Sequence, residues 1–177
     1  MRKLILYIAA SLDGYIAGQE DDLSFLNPMH VEGEDYGYGE FIQEIDTVIV
    51  GRRTYEWVIN QGVEFPHKDK ACYIITRQDK PSDGNLHFYN GDLKALVTRL
   101  KGESGQNIFC DGGAQVVNYL LREKLFDELI ISVVPVLLGD GIKLFQDQRP
   151  IQQLELKEAK NYPSGMLQVH YELSRTV

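Results

Sequence analysis

Cysteine is scarce in this chain, and the two present, Cys72 and Cys110, each lie in an apolar segment with no second cysteine or histidine at metal-ligand spacing. That argues against a disulfide framework and a thiolate zinc site, and it predicts two buried free thiols. His30, His67, His87 and His170 are scattered singly, so neither a histidine metal cluster nor a hydrolytic triad is indicated. No apolar run approaches the ~20 residues of a membrane span. No block of basic residues exists either: 18 Lys and Arg stand against 26 Asp and Glu, a net charge of −8, which disfavours a nucleic-acid surface. The Gly-x-Gly-x-x-Gly fingerprint and the Walker lysine loop are both missing, which disfavours an ordinary Rossmann or P-loop site. Repeats, low-complexity tracts and linkers are absent too, so residues 1–177 are expected to form one domain. The apolar amino terminus runs into polar Ser11 and Asp13 without a clear cleavage site. It reads as a first strand in a cytoplasmic protein.

What is present alternates. Strands are expected at 3–10, 47–50, 71–76, 86–89 and 107–110 from their Leu, Ile, Val and Tyr content. Between them lie helical stretches, with a short face at Phe41, Ile42 and Ile45, then Arg53 to Ile59, and a helix outlined by Val116, Val117, Leu120 and Leu121. The clearest helix has Asp92 as its cap, Leu93, Leu96, Val97 and Leu100 on one face, and Gly102 as its stop. Residues 18–39 hold too many glycines and turn formers for regular structure and predict a long binding or lid-like loop. Leu129 to Leu138 reads as a long strand whose Pro135 places it at a bulge or sheet edge, where it could pair subunits of a homodimer. The tail, 154–159 and 167–173 around Tyr162-Pro163-Ser164-Gly165, reads as a terminal hairpin. The whole implies an α/β fold with a mixed, mostly parallel sheet covered by helices on both faces. In such sheets ligands bind at the carboxyl ends of the strands.

The turns after those strand ends carry the chemistry. Gly51-Arg52-Arg53-Thr54 and Gly112-Gly113-Ala114-Gln115 each join a strand to a helix through glycine. There a phosphate can approach the backbone, and the free N–H groups of the helix's first turn favour its charge. Arg52 and Arg53 supply local positive charge that an acidic chain otherwise lacks.

Taken in order, Ser11-Leu12-Asp13-Gly14-Tyr15-Ile16-Ala17, Gly51 to Glu56, Thr76-Arg77, Asp111-Gly112-Gly113-Ala114, and Asp127-Glu128-Leu129 through Pro135 to Gly139 span nearly the whole chain. This set resembles the reductase domain (RibD C-terminal type) of bifunctional riboflavin-biosynthesis enzymes and, more distantly, dihydrofolate reductase. The resemblance implies a dihydrofolate reductase-like three-layer α/β/α fold with a C-terminal antiparallel hairpin, and an NADPH-dependent reductase of a pyrimidine- or pteridine-like heterocycle. It implies that Gly51, Arg52, Arg53 and Thr54 hold the 2′-phosphate and pyrophosphate, with Thr76 and Arg77 beside the adenine ribose. Gly112, Gly113, Ala114 and Gln115 would take the pyrophosphate and nicotinamide side, and Ala9 and Ala10 would line the nicotinamide.

A proton source is less legible. Asp13 is the leading catalytic candidate, because its turn follows the first strand; an ordinary Asp-Gly turn is the alternative. Lys143 is a candidate contact for a substrate phosphate. Dihydrofolate reductases carry a carboxylate before the Gly-Arg-x-Thr strand, and Glu34, Asp35 and Glu40 fall in that region without a fixed register. The His-x-Glu and Pro-Cys-x-x-Cys ligands of the riboflavin-pathway deaminase are absent, which excludes deamination. Dihydrofolate reductase proper and a non-catalytic NADPH-binding protein are the competing readings.

Overall fold

A computed structural model describes residues 1–174. Its centre is an eight-stranded sheet built from β1 (Leu4–Ser11), β3 (Ile45–Gly51), β4 (Ala71–Ile75), β5 (Leu86–Tyr89), β6 (Asn107–Gly112), β7 (Glu128–Val134), β9 (Leu154–Asn161) and β10 (Leu167–Leu173). The spatial order is β5-β4-β3-β6-β1-β7-β10-β9. Pairing is parallel from β5 through β7 and antiparallel at β10 and β9. This is the dihydrofolate reductase-like α/β fold.

Residue alternation along each strand divides the core into two layers. On one face Leu4, Leu6, Ile49, Ile108 and Cys110 pack against α3 (Leu93–Gly102) and α4 (Ala114–Arg122), which contribute Leu96, Val97, Leu100, Val117 and Leu120. On the other, Ile5, Val48, Val50, Ile74 and Phe109 meet Phe41 of α1 (Tyr38–Gln43) and the Tyr55 and Val58 side of α2 (Arg52–Asn60). Each fully buried Leu or Ile contributes roughly 1.5–3 kcal/mol. Cys72 and Cys110 are buried free thiols in these layers, and burial pushes both up to about 12.

Two buried polar groups fasten the layers. Arg2 is 6% exposed; it donates to Gln106 O at 2.6 Å, Leu100 O at 3.3 Å and Thr47 Oγ1 at 2.6 Å, and it pairs with Asp46. Asn118, fully buried on α4, donates to Ala114 O and Leu144 O at 2.7 and 2.8 Å and accepts from Gln146 N at 2.9 Å. The segment after Lys143 is thereby tied to the helix.

The structure departs from the sequence expectations in four places. The strand expected to reach Leu138 stops at Val134, immediately before Pro135, and β7 is interior, paired on both sides by β1 and β10. Subunit pairing along it is therefore blocked. Ile45 belongs to β3 rather than to the helix. Tyr15–Ala17 (β2) and Ile142–Lys143 (β8) form a two-stranded ribbon, too short to register as periodicity. The loop 18–39 contains two 3₁₀ turns, Gln19–Asp21 and Ser24–Met29, and is pinned to the sheet. Tyr36 takes a φ of 57°, and its carbonyl accepts from Tyr7 Oη at 2.9 Å, Tyr162 Oη at 3.2 Å and Gln168 Nε2 at 3.2 Å. Those bonds hold a left-handed backbone that costs about 1–3 kcal/mol.

The expected cap of α3 is present: Asp92 accepts from Lys94 N at 2.8 Å and Ala95 N at 3.4 Å. Asp92→Ala should lower stability by about 1 kcal/mol in urea unfolding, with an unchanged m-value.

Candidate active site

The sheet opens at one seam. β1 and β6 pair only from Leu4–Ile108 to Leu6–Cys110, yet β1 runs on to Ser11 along β7 and β6 runs on to Gly112 along β3. Past Leu6 the two strands are no longer laddered, and their carboxyl ends follow different neighbours. Ala9 and Ala10 stand on the β1 side of this seam, opposite Ser132 and Val133 of β7. Asp111, Gly112 and Gly113 stand on the other.

Beside this seam the ends of β3 and β6 come together. A Cβ on Gly51 would lie 3.4 Å from Gly112 O and 3.6 Å from Gly113 Cα, in van der Waals contact with both. Gly112 and Gly113 take φ values of 99° and 61°, which only glycine adopts without strain. The Thr54 hydroxyl would stand 3.3 Å from a Cβ on Gly113, so the first turn of α2 adjoins the first turn of α4. Gly51 and Gly113 are the N-caps of these nine-residue helices, and neither receives a side-chain cap. Two sets of first-turn N–H groups therefore converge with their donors available, an arrangement suited to a diphosphate.

Other expected cofactor residues flank that point. Ala114 is buried and Gln115 exposed at the start of α4. Thr76 follows β4, buried, with its N–H on Tyr89 O and its Oγ1 accepting from Gln78 N at 3.0 Å; Arg77 beside it is exposed. Arg52 is paired with Glu56 at 2.8 Å on its own helix. Arg53 reaches Asp21 of the 18–39 loop at 2.8 and 3.0 Å. Both pairs are solvent-exposed and weak, so an incoming phosphate can displace their carboxylates at small cost.

A polar group unassigned by the sequence lies next to the glycines. Across β6 and β3 the register steps from Cys110–Ile49 to Gly112–Val50, leaving Asp111 as the extra residue of a bulge. Bulges re-aim side chains next to active sites. Here the Asp111 carboxylate lies 3.4 Å from Nε2 of His67, which is 4% exposed and held edge-on between Phe65 and Phe109. The His67 carbonyl accepts from Cys72 Sγ and Lys70 N. Tyr38, at the start of α1, stands near the same carboxylate; burial first, and the Asp111 charge second, raise its hydroxyl above the ordinary range. The phenol is therefore a neutral donor across the physiological range. Asp111 was visible in the motif, but His67 and Tyr38 carry no local signal: they are brought in by the turn before β4 and by α1.

Asp13 is used differently from its expected role as proton source. Its carboxylate accepts from Ser11 Oγ at 2.6 Å, Gly139 N at 2.7 Å and Leu138 N at 3.1 Å. The Ser11 hydroxyl, then the two backbone donors, hold it at about 2. At neutral pH it has no proton to give, and it fastens the segment after β7 to the turn after β1. Lys143 is exposed on the β2–β8 ribbon opposite Tyr15. The carboxylates weighed for a folate grip are engaged or outward: Glu34 accepts from Tyr36 N, Asp35 accepts from Gly37 N and Gly39 N, and Glu40 is exposed. Among the described residues no group of three or more His, Cys, Asp or Glu is arranged to hold a metal. None of their helices is long and apolar enough to cross a membrane.

Because its folded pKa is depressed, the Asp13 lock stabilises the chain above the ordinary carboxylate value of 3.8 and loses its contribution as pH falls through about 2. The melting-temperature difference between the native chain and Asp13→Asn should be largest above about pH 4 and shrink towards pH 2. A difference independent of pH would contradict the charged lock.

Comparison with known proteins agrees with this geometry. Residues 2–168 match the model of the RibD C-terminal domain. The uncharacterized protein YwjB of Bacillus subtilis is 44% identical over 171 residues, covering 96% of this chain and 97% of that protein. A putative riboflavin biosynthesis protein from Shewanella sp. PV-4 superposes with a TM-score of 0.88 at 25% identity, over 98% of this chain and 99% of that one. The diaminohydroxyphosphoribosylaminopyrimidine deaminase/5-amino-6-(5-phosphoribosylamino)uracil reductase of Thermotoga maritima shares the fold, with a TM-score of 0.73 at 13% identity. This chain covers 57% of that two-activity protein. The chain therefore belongs to the RibD C-terminal domain family, a family of riboflavin-pathway-type reductases.

Proposed function

We propose that the protein is an NADPH-dependent reductase of a pyrimidine-like heterocycle, of the kind reduced in riboflavin biosynthesis. The observation that carries this reading is the parting of β1 from β6 beyond Leu6, beside two helix N-termini with uncapped donors. A dinucleotide has a diphosphate for the second feature and a flat ring for the first. The glycine contacts fit such a group, since Gly51, Gly112 and Gly113 bring the first turns of α2 and α4 together without an intervening side chain.

In this reading Thr54 and the N–H groups of Ala114 and Gln115 hold the diphosphate, while Arg52, Arg53, Thr76 and Arg77 take the adenosine 2′-phosphate. Ala9 and Ala10, small and set in the parted strand, leave room for a flat ring. The nucleotide, when bound, supplies a hydride. This chain's residues bind, orient and exclude water. Asp111 offers an acceptor to the amino and N–H edge of an aminopyrimidine, and Tyr38 offers a donor to a carbonyl. A carboxylate backed by a buried imidazole keeps one orientation as substrate arrives, which favours a fixed near-attack geometry. The pteridine of dihydrofolate is a poorer fit, because the acidic residues on and before α1 are occupied or face outward.

Titration calorimetry tests the reading directly. The full chain should bind NADPH more tightly than NADH, and Arg52→Ala should narrow that preference about tenfold or more, the cost of a lost charge-assisted bond. With 5-amino-6-(5-phosphoribosylamino)uracil as acceptor, Asp111→Asn should keep its NADPH affinity and lose about 100-fold in kcat/KM. Binding of neither nucleotide removes the proposal. Nucleotide binding without oxidation against a broad heterocycle panel would instead mark a non-catalytic binding protein.

A further inference from the structure

Reduction needs a proton as well as a hydride. When a hydride adds to the carbon of a C=N or C=O bond, the π electron pair moves to the nitrogen or oxygen, which must take one proton. The titratable groups around the strand ends differ in their fitness to give it. Asp13 is held at about 2 and is already deprotonated at neutral pH. The Tyr38 hydroxyl is raised first by burial and then by the Asp111 charge. A phenolate there is disfavoured, so Tyr38 lends a hydrogen bond without releasing its proton. The Cys72 thiol, pushed by burial up to about 12, keeps its proton too.

Asp111 and His67 remain. Oδ2 of Asp111 lies 3.4 Å from His67 Nε2, and among the described residues Oδ1 makes no hydrogen bond. The two side chains differ in access: that of Asp111 is 27% exposed and that of His67 5%. The imidazole is boxed edge-on by Phe65 and Phe109, with centroids at 5.4 and 5.7 Å. The elements around it bring no competing charge. Tyr38 of α1 and Cys72 of β4 are neutral, and α2 sets the Tyr55 ring against Phe65. In its own turn Asp69 and Lys70 pair with each other at 3.6 Å, and Lys68 pairs with Glu64.

We infer that His67 is the proton reserve of the reduction and acts through Asp111, an inference that rests on the reductase reading above. The buried imidazole does not itself reach substrate. Its Nε2 proton passes to the Asp111 carboxylate and from there to the substrate nitrogen or oxygen that receives the electron pair. The pair goes from imidazolium and carboxylate to neutral imidazole and carboxylate, and one proton has been transferred. It is regained from solvent through the exposed side of Asp111 once product leaves. A proton stored on a buried group stays next to the reacting atoms while the bound rings exclude water.

Imidazole ¹⁵N and carboxyl ¹³C NMR of the unaltered chain, free of nucleotide, tests the pair without relying on turnover. His67 Nε2 and Asp111 Cγ should follow one common titration between about pH 5 and 8. A His67 fixed in one protonation state across that range overturns the inference. In turnover of 5-amino-6-(5-phosphoribosylamino)uracil, His67→Gln should lower kcat about 100-fold while the NADPH affinity read by calorimetry stays unchanged. The variant should also lose the fall in kcat on the alkaline side that the native chain shows, because glutamine can hold Asp111 in place but carries no titratable proton. An unchanged kcat or an unchanged alkaline fall in the folded variant overturns the inference; if the variant does not fold, the NMR titration of the native chain decides. Failure of the native chain to bind either nucleotide removes the reductase reading and this inference with it. Nucleotide binding with a pair that does not titrate together removes this inference alone.

Discussion

Everything at the candidate site depends on the close approach of two strand ends, β3 at Gly51 and β6 at Gly112. Because no side chain intervenes, the helices that follow these strands start side by side, and their unpaired N–H groups face one point. The bulge at Asp111 lies at the same place and sets a carboxylate near Tyr38 and the buried His67. On the other side, β1 loses its ladder with β6 after Leu6 and follows β7 instead. The parting of these strands is set by backbone register, and the side chains beside it elaborate a geometry in which three glycines let two strand ends meet.

To take the proposed anionic nucleotide, an acidic chain has to concentrate positive potential locally. The backbone dipoles at the N-termini of α2 and α4 are fixed sources of it, and these do not titrate. Arg52 and Arg53 add formal charge, but each is held by a carboxylate, Glu56 and Asp21, so the side chains are kept in place before a ligand exchanges partners with them. Asp21 belongs to the loop pinned by the three bonds to the Tyr36 carbonyl. Loop placement and the position of Arg53 are thereby linked through one exposed ion pair.

Much of this was legible in the sequence where the chemistry is local. The glycine junctions after β3 and β6, the Asp92 cap and the terminal hairpin follow from turn and capping chemistry within a few residues. What could not be read depends on distant partners. Asp13 looks like a catalytic carboxylate until Leu138 and Gly139 are brought against it from far along the chain. His67 looks like a stray histidine until the turn before β4 sets it against Asp111. β7 looks like an edge because Pro135 follows it, but the hairpin folds back and covers that side, passing the edge to β9. The fold class was carried by periodicity; the polar group beside the strand ends was assembled by topology.

The most direct test of the account is a crystal structure of the chain grown with NADP⁺. The account predicts the diphosphate against the N-termini of α2 and α4, within hydrogen-bond reach of Ala114 and Gln115 N–H, and the nicotinamide between Ala9 and Gly112 with one edge open towards Asp111. A nucleotide bound elsewhere, or pairing of β1 with β6 beyond Leu6, would contradict it.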